Sequence, residues 1–361
     1  MKNIGRLLMI IIALSVFGES NACTSAIVSA AKSSEGVPLL WKHRDSDQWD
    51  CHIEYVEGGK YAYTALVSLD GSRTYCGINE KGFAVMNNAT YNVPIPDKTI
   101  KSKGAVRLMG IILSKCATID EFEEWLAKSN GKRGYATIYA AGDPSGAVAY
   151  FEVGQEYYKR YNVSERKEGF DVRANFSFSG LEEKRGLSVS RYHIAMNQMT
   201  GKSLFAPHDF VEYSRNHISQ KGVCILDEPN KVEKTNSSIC RYTSAATTIM
   251  VCDAANPRML VAVGLPSAAM AVPVYVKAKQ DIPKCVNGYA MLNLCNGFRA
   301  KTYNKISKTE VEMDKELISK VVKVNTVCEM PSEMPENIKK FNAQIDKKFA
   351  KHAKMVRKAL K

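Results

Sequence analysis

The chain has 361 residues, of which 45% are hydrophobic and 24% charged, with 23 glycines and 12 prolines. This is ordinary globular composition and excludes a mostly disordered, collagen-like or low-complexity chain. The formal net charge is +13, yet nine Lys or Arg against one acid between Lys339 and Lys361 hold +8 of it, so the charge marks a basic tail and not a nucleic-acid-binding body.

Taken in chain order, the first segment reads as a leader. Lys2 and Arg6 precede an apolar run from Leu7 to Phe17, and small and polar residues follow to Ala22. That is the pattern of a secretory signal peptide over 1–22. The run is too short for a membrane span, which needs about 20 apolar residues, so the expected product is exported, periplasmic or secreted, with no transmembrane segment. Cys23–Val28 and Val37–Trp41 are β-rich runs flanking Ser33-Ser34-Glu35-Gly36 and predict a hairpin. Tyr63–Leu69 and Ser72–Ile78 predict a second, turning at Asp70-Gly71. Phe83–Met86 is a further strand. The period then changes. Val106, Met109, Ile112, Leu113 and Cys116 are helix-spaced, and Thr118-x-x-Glu121 caps a second helix through Phe122, Trp125 and Leu126. Tyr135–Ala141 and Ala147–Val153 read as strands, Leu187–Met199 as a helix, and Thr247–Cys252 with Met259–Gly264 as a late hairpin. Ile338, Phe341, Ile345, Phe349, Val356 and Leu360 place one apolar stripe on a helical tail, expected to pack on the body. Strands and helices in separate runs predict an α+β fold with antiparallel sheets.

Position makes Cys23 the candidate nucleophile. With Ser20 and Ala22 at the −3 and −1 places of the leader, cleavage would leave Cys23 as the first mature residue. An N-terminal cysteine carries a thiol, with a reference pKa of about 8.5, and an α-amine of about 7.7–8.0 on one carbon. The amine can then act as base toward its own thiol. A lipid anchor on Cys23 is the competing reading, since lipoproteins also begin at cysteine; Ser20 stands where their signals usually carry an aliphatic residue. Ten cysteines contain no C-x-x-C pair, and removing Cys23 leaves an odd number, so at least one stays free or pairs between chains. Six histidines show no H-E-x-x-H pair, and neither a P-loop nor a dinucleotide fingerprint appears, so neither metal nor cofactor is called for.

Several segments downstream carry a resemblance. They are Cys23-Thr24-Ser25, Leu40-Trp41-Lys42-His43-Arg44-Asp45, Gly77-Ile78-Asn79-Glu80-Lys81-Gly82, Arg173-Ala174-Asn175-Phe176-Ser177 and Ser190-Arg191-Tyr192. In this order, from Cys23 to about Gly264, the chain resembles the N-terminal-nucleophile hydrolases of the choloylglycine hydrolase and penicillin V acylase group, and looks closest to the branch with acyl-coenzyme A:6-aminopenicillanic acid acyltransferase. The resemblance implies a four-layer αββα fold over 23–300, followed by a basic helical extension over 301–361. It implies cleavage of a linear amide of a small N-acyl substrate, with Cys23 as nucleophile. Asp45 matches the residue that holds the α-amine, Asn175 the oxyanion-hole amide, and Arg191 a late arginine that steadies the site. Lys42 stands where the family has arginine, and Arg44 with Asp47 offers an alternative frame for the cation. Asn88 matches an asparagine near the scissile carbonyl, and Arg44 and Asn88 are the candidate substrate-binding residues. A carboxylate can hold the amine, a nearby cation favours thiolate, and a preorganised amide stabilises a tetrahedral oxyanion. Acyl transfer to a second amine, and a lipid-anchored binding protein that keeps the fold without the chemistry, stay open, as does association into a homo-oligomer.

Overall fold

The computed structural model describes residues 22–101, 104–186 and 188–361; the leader, Ala22 apart, lies outside the described residues. In chain order, strands β1 (Thr24–Val28) and β2 (Leu39–Asp45) form the first hairpin. Strands β3 (Cys51–Val56), β4 (Tyr63–Ser68), β5 (Thr74–Asn79) and β6 (Ala84–Ala89) follow as a meander. Helices α1 (Ala105–Lys115) and α2 (Ile119–Lys128) precede β7 (Thr137–Gly142), β8 (Val148–Val153), β9 (Tyr158–Asn162) and β10 (Phe170–Arg173). Then come α3 (Ser188–Met199), α4 (Pro207–Arg215), β11 (Val232–Lys234), β12 (Ser244–Val251), β13 (Arg258–Val263), β14 (Val272–Tyr275), α5 (Lys284–Asn287) and α6 (Ala290–Thr302). The chain closes with β15 (Tyr303–Lys305), β16 (Glu310–Met313), α7 (Lys315–Val322) and α8 (Ile338–Ala359).

All strand pairings are antiparallel. One sheet has the order β10-β1-β2-β12-β13-β14 and the other β3-β4-β5-β6-β7-β8-β9. Their inner faces meet where β2 lies on β6 and β7, and β1 on β8. Helix α1 covers the outer face of the seven-stranded sheet at β5 and β6, with α2 on β7. Helices α3 and α4 cover the outer face of the six-stranded one. This is the αββα sandwich expected from the sequence.

Alternation builds the layers. On β6, β7 and β8, Met86, Ile138, Ala140, Val148 and Tyr150 enter the main core between the sheets, while Val85, Tyr139, Ala141, Ala149 and Phe151 face α1 and α2. There Phe122 sits edge-on to Tyr139 and Phe151 with ring centroids 5.5 and 5.2 Å apart. The predicted cap of α2 is present, because Thr118 Oγ1 accepts from Glu121 N at 3.1 Å. The Glu121 carboxylate reaches one residue further back than a capping box would, to Ala117 N.

Residues 303–305 and 310–313 of the C-terminal extension are strands and not helix, and they join β11 in a small sheet of order β11-β16-β15. The tail helix does pack on the body. Ile345 and Val356 are buried in the main core, and His352 Nε2 lies 2.8 Å from Ala268 O. Among the described residues no helix is long and apolar enough to cross a membrane. At the end of β13, Gly264 has φ +95°, and a Cβ there would fall 2.6 Å from Cys295 Cβ. Gly264→Ala therefore combines left-handed strain with overpacking and is expected to lower stability by about 3 kcal/mol. A denaturant melt checks this; a loss under about 1 kcal/mol would contradict it.

Candidate active site

The hairpin β1–β2 positions the site. Its register pairs Thr24 with His43 and Ser25 with Lys42, and Ala22 N donates to Asp45 O at 3.2 Å. Cys23 therefore lies across from Arg44. Alternation then divides β2 between two faces. Leu40, Lys42 and Arg44 turn toward the seven-stranded sheet: Leu40 lies against Gly142, Lys42 Nζ donates to Asn87 O, and Arg44 stacks on Tyr75 at 3.9 Å. Trp41, His43 and Asp45 turn to the helix side. Trp41 Nε1 donates to Ser214 and Thr247 at 2.9 and 3.0 Å, and His43 Nε2 lies 2.9 Å from Ser244 Oγ.

Between the sheets a cavity of about 180 Å³ is lined by Cys23, Lys42, Arg44, Arg73, Tyr75 and Asn87, with Ala89, Ala105, Val106 and Tyr135–Thr137 completing the wall. Both candidate cations of the sequence reading thus share the wall with the candidate nucleophile. Cys23 is 6% exposed. Burial pushes the thiols of Cys76, Cys116 and Cys240 up to about 11, which keeps them protonated and unreactive at neutral pH. No disulfide joins cysteines among the described residues.

Behind Cys23, Arg191 projects from α3. Its Nη1 donates to Cys23 O at 2.7 Å and Thr24 Oγ1 at 2.8 Å, and its Nη2 donates to Asn175 Oδ1 at 2.8 Å. A guanidinium only donates, so this bond fixes which way the Asn175 amide faces. Asn175 Nδ2 then donates to Ala89 O at 2.9 Å, on the cavity wall. Burial and the neighbouring Arg241 pull the Arg191 pKa down, yet a guanidinium stays charged at neutral pH.

Asp45 is fully buried. Its Oδ2 accepts from Arg241 Nη2 at 2.7 Å and its Oδ1 from Ser244 Oγ at 2.8 Å. Burial alone would raise its pKa, but Arg241 and His43 outweigh burial and hold the carboxyl well below the usual carboxylate range. The same Arg241 Nη2 donates to Ala22 O at 2.5 Å, so one nitrogen grips both Asp45 and the carbonyl of the bond that precedes Cys23. Asp47, the acid of the alternative frame, instead pairs with Lys305 at 3.7 Å at the surface.

The structure sets Cys23, Lys42 and Arg44 on the cavity wall, ties Arg191 to Cys23 O and Asn175 to Arg191 and Ala89 O, and holds Asp45 on the other face of β2 against Arg241. Asn88, like Asp45, Asn175 and Arg191, is not among the lining residues. Its Nδ2 donates to Ser25 Oγ, Arg173 O and Ala174 O at 2.9–3.2 Å and ties β6 to β10. Arg241, Ser244, Tyr75 and Tyr91 were not legible. Tyr91 N donates to Asn175 O at 3.2 Å, and its side chain is more than half exposed. Among the described residues no group of His, Cys, Asp and Glu could hold a metal ion.

No family model matches the chain, and no curated protein matches it by sequence. Among solved structures it is similar to a Caenorhabditis elegans ortholog of N-acylethanolamine-hydrolyzing acid amidase, at 17% identity and a TM-score of 0.43, over 63% of this chain and 92% of that one. It is also similar to a variant of conjugated bile acid hydrolase from Clostridium perfringens, at 11% identity and a TM-score of 0.46, over 74% of this chain and 94% of that one. A third similar structure is penicillin V acylase from Agrobacterium tumefaciens, at 14% identity and a TM-score of 0.39, over 69% of this chain and 86% of that one.

Proposed function

We propose that the chain is an exported cysteine N-terminal-nucleophile amidohydrolase that cleaves a linear N-acyl amide. The observation that supports this best is the placement of Cys23: its side chain lines a cavity, while the peptide bond before it is gripped by Arg241, which also holds Asp45. Removal of residues 1–22 would leave the new α-amine beside the ionised Asp45 and beside Arg241. In this reading Asp45 holds the amine in place while the amine takes and returns the proton.

In the proposed cycle the amine takes the thiol proton, and the Cys23 thiolate attacks the amide carbonyl carbon. Lys42 shares the cavity wall with that sulfur. The Asn175 amide, held by Arg191, is the side-chain donor for the oxyanion; removing such a donor costs about 10²–10³ in rate. The C–N bond then breaks, the α-ammonium gives its proton to the leaving amine, and water releases the acyl group from the thioester, restoring the thiol.

Two measurements test this. Intact mass and N-terminal mapping of the exported protein should find a chain starting at unmodified Cys23. Acid quenching during turnover of an N-acyl substrate should trap the acyl group on the Cys23 peptide. A lipid on Cys23, or a start elsewhere, would remove the mechanism and leave the anchored, non-catalytic reading.

A further inference from the structure

We propose that the outer face of α8 is a docking surface for an anionic phospholipid bilayer, which holds the protein by charge and without insertion; the proposal stands whether or not Cys23 is the nucleophile. Between Lys339 and Lys361 the chain carries eight lysines and one arginine against one acid, Asp346. All nine cations are exposed, and none is ion-paired among the described residues. Asp346 is turned to the body, where its carboxylate accepts from Lys284 N at 3.2 Å and Cys285 N at 3.0 Å. Lys340, Lys347, Lys351, Lys354 and Lys358 follow one another in steps of seven, four, three and four residues, which keeps them on one side of the helix. At the helical rise per residue that stripe is about 27 Å long. The acids that come before it, Glu329, Glu333 and Glu336, precede the helix and leave its outer face free of carboxylate.

This pattern does not serve the helix itself. Lys128 on α2 and Lys320 on α7 each pair with an acid four residues away. On α8 the residues three and four places from Asp346 are Asn342, Ala343, Phe349 and Ala350, so its one acid offers no such pair. Lys347 and Lys351 stand four apart and repel, as do Lys354 and Lys358. The cations of the last turn suit the helix dipole, but Lys339 and Lys340 stand in the first turn, where the dipole opposes them and no acid is present. A surface of opposite charge relieves each of these costs at once.

The chemistry of the partner follows from what the face lacks. Phe341, Ile345, Phe349 and Val356 lie in or against the main core, so no apolar stripe is left to enter hydrocarbon. Met355 is the one large apolar side chain that α8 exposes. Nucleic-acid recognition draws on arginine forks and on aromatic rings that stack on bases, and this face has a single arginine and no exposed aromatic. Lysine is a point charge on a flexible stem, suited to a diffuse layer of lipid phosphates. A bilayer is flat and meets a straight stripe along its whole length, and a cluster of lysines on an amphipathic helix is what anionic lipid attracts.

Sedimentation with lipid vesicles tests this, on a chain that begins at Cys23 so that the apolar run Leu7–Phe17 takes no part. Vesicles of phosphatidylglycerol and phosphatidylcholine in equal parts should carry the protein down, and vesicles of phosphatidylcholine alone should not. Raising the salt from about 0.1 to 1 M shrinks the Debye length from about 10 to 3 Å and should release it. Each lysine near the surface strengthens binding about fivefold. Lys347→Gln, Lys351→Gln, Lys354→Gln and Lys358→Gln combined should therefore weaken it by about 10²-fold or more, while arginine at the same four places should retain it. The glutamine variant should melt no lower than the wild type, because the repulsion is gone; should it melt lower, the salt release and the neutral vesicles decide the matter on the wild type. No binding of the wild type to the anionic vesicles, equal binding to both kinds, or binding that survives in the folded glutamine variant would overturn the proposal. Tighter binding to duplex DNA than to the anionic vesicles at the same salt would overturn it too, and would make the partner a nucleic acid.

Discussion

Cys23→Ala is expected to lower cleavage of an N-acyl amide by about 10³-fold or more, since the attacking atom is gone and only positioning and oxyanion stabilisation remain. The melting temperature should barely change, because one sulfur is lost beside an existing cavity. Cys23→Ser should be nearly as inactive. An alcohol is far less acidic than a thiol of reference pKa about 8.5, so the same α-amine activates it less readily in a site shaped for sulfur. The informative companion is a chain that retains Ala22. Its thiol is intact, but the nitrogen of Cys23 is an amide and cannot take a proton. It should be as inactive as the alanine variant, and full activity there would show that the base lies elsewhere.

The second large effect is on stability. Glu152→Ala is expected to cost about 3–5 kcal/mol, read as a lower urea midpoint, because it strips a buried charge from its partner. Glu152 on β8 and Arg173 on β10 are both fully buried and are joined at 3.0 Å across the two sheets. The same carboxylate accepts from Phe178 N at 2.9 Å and Ser179 N at 2.8 Å. Removing it leaves Arg173 with Asp171 as its only acid among the described residues, and two backbone donors unsatisfied. Asn175 lies on the segment between these anchors, so kcat should fall as well. Glu152→Gln keeps the shape but loses the charge and turns one acceptor into a donor, which places it between wild type and alanine. A loss under about 1 kcal/mol for Glu152→Ala would mean that the pair is dispensable.

Much of this was legible from local pattern. The first hairpin, the Asp70-Gly71 turn, the Thr118 cap and the late hairpin all rest on short-range chemistry, and the structure carries each of them. Strand β3 was missed because Cys51-His52-Ile53-Glu54 mixes polar and apolar residues, and β9, Tyr158–Asn162, is a polar edge that buries little. Helix α6 contains Asn293, Asn296 and Gly297, which weaken its helical signal; its packing on β12 and β13 holds it. In the site, alternation along 42–45 already implied that Lys42 and Arg44 share a face and that Asp45 takes the other. Arg241 had no such signal. It precedes β12, far along the chain from Asp45, and only the pairing of β2 with β12 brings the two together.

The order of strands in the six-stranded sheet has a consequence for the newly made chain. Strands β1 and β2 are complete by residue 45, but their sheet neighbours β10 and β12 begin at residues 170 and 244. Such non-local pairing folds slowly, because the entropy of closing long loops is lost before the contacts form. For most of synthesis the β1–β2 hairpin therefore has no sheet to join, and the Cys23 thiol stands open to oxidants and to other thiols.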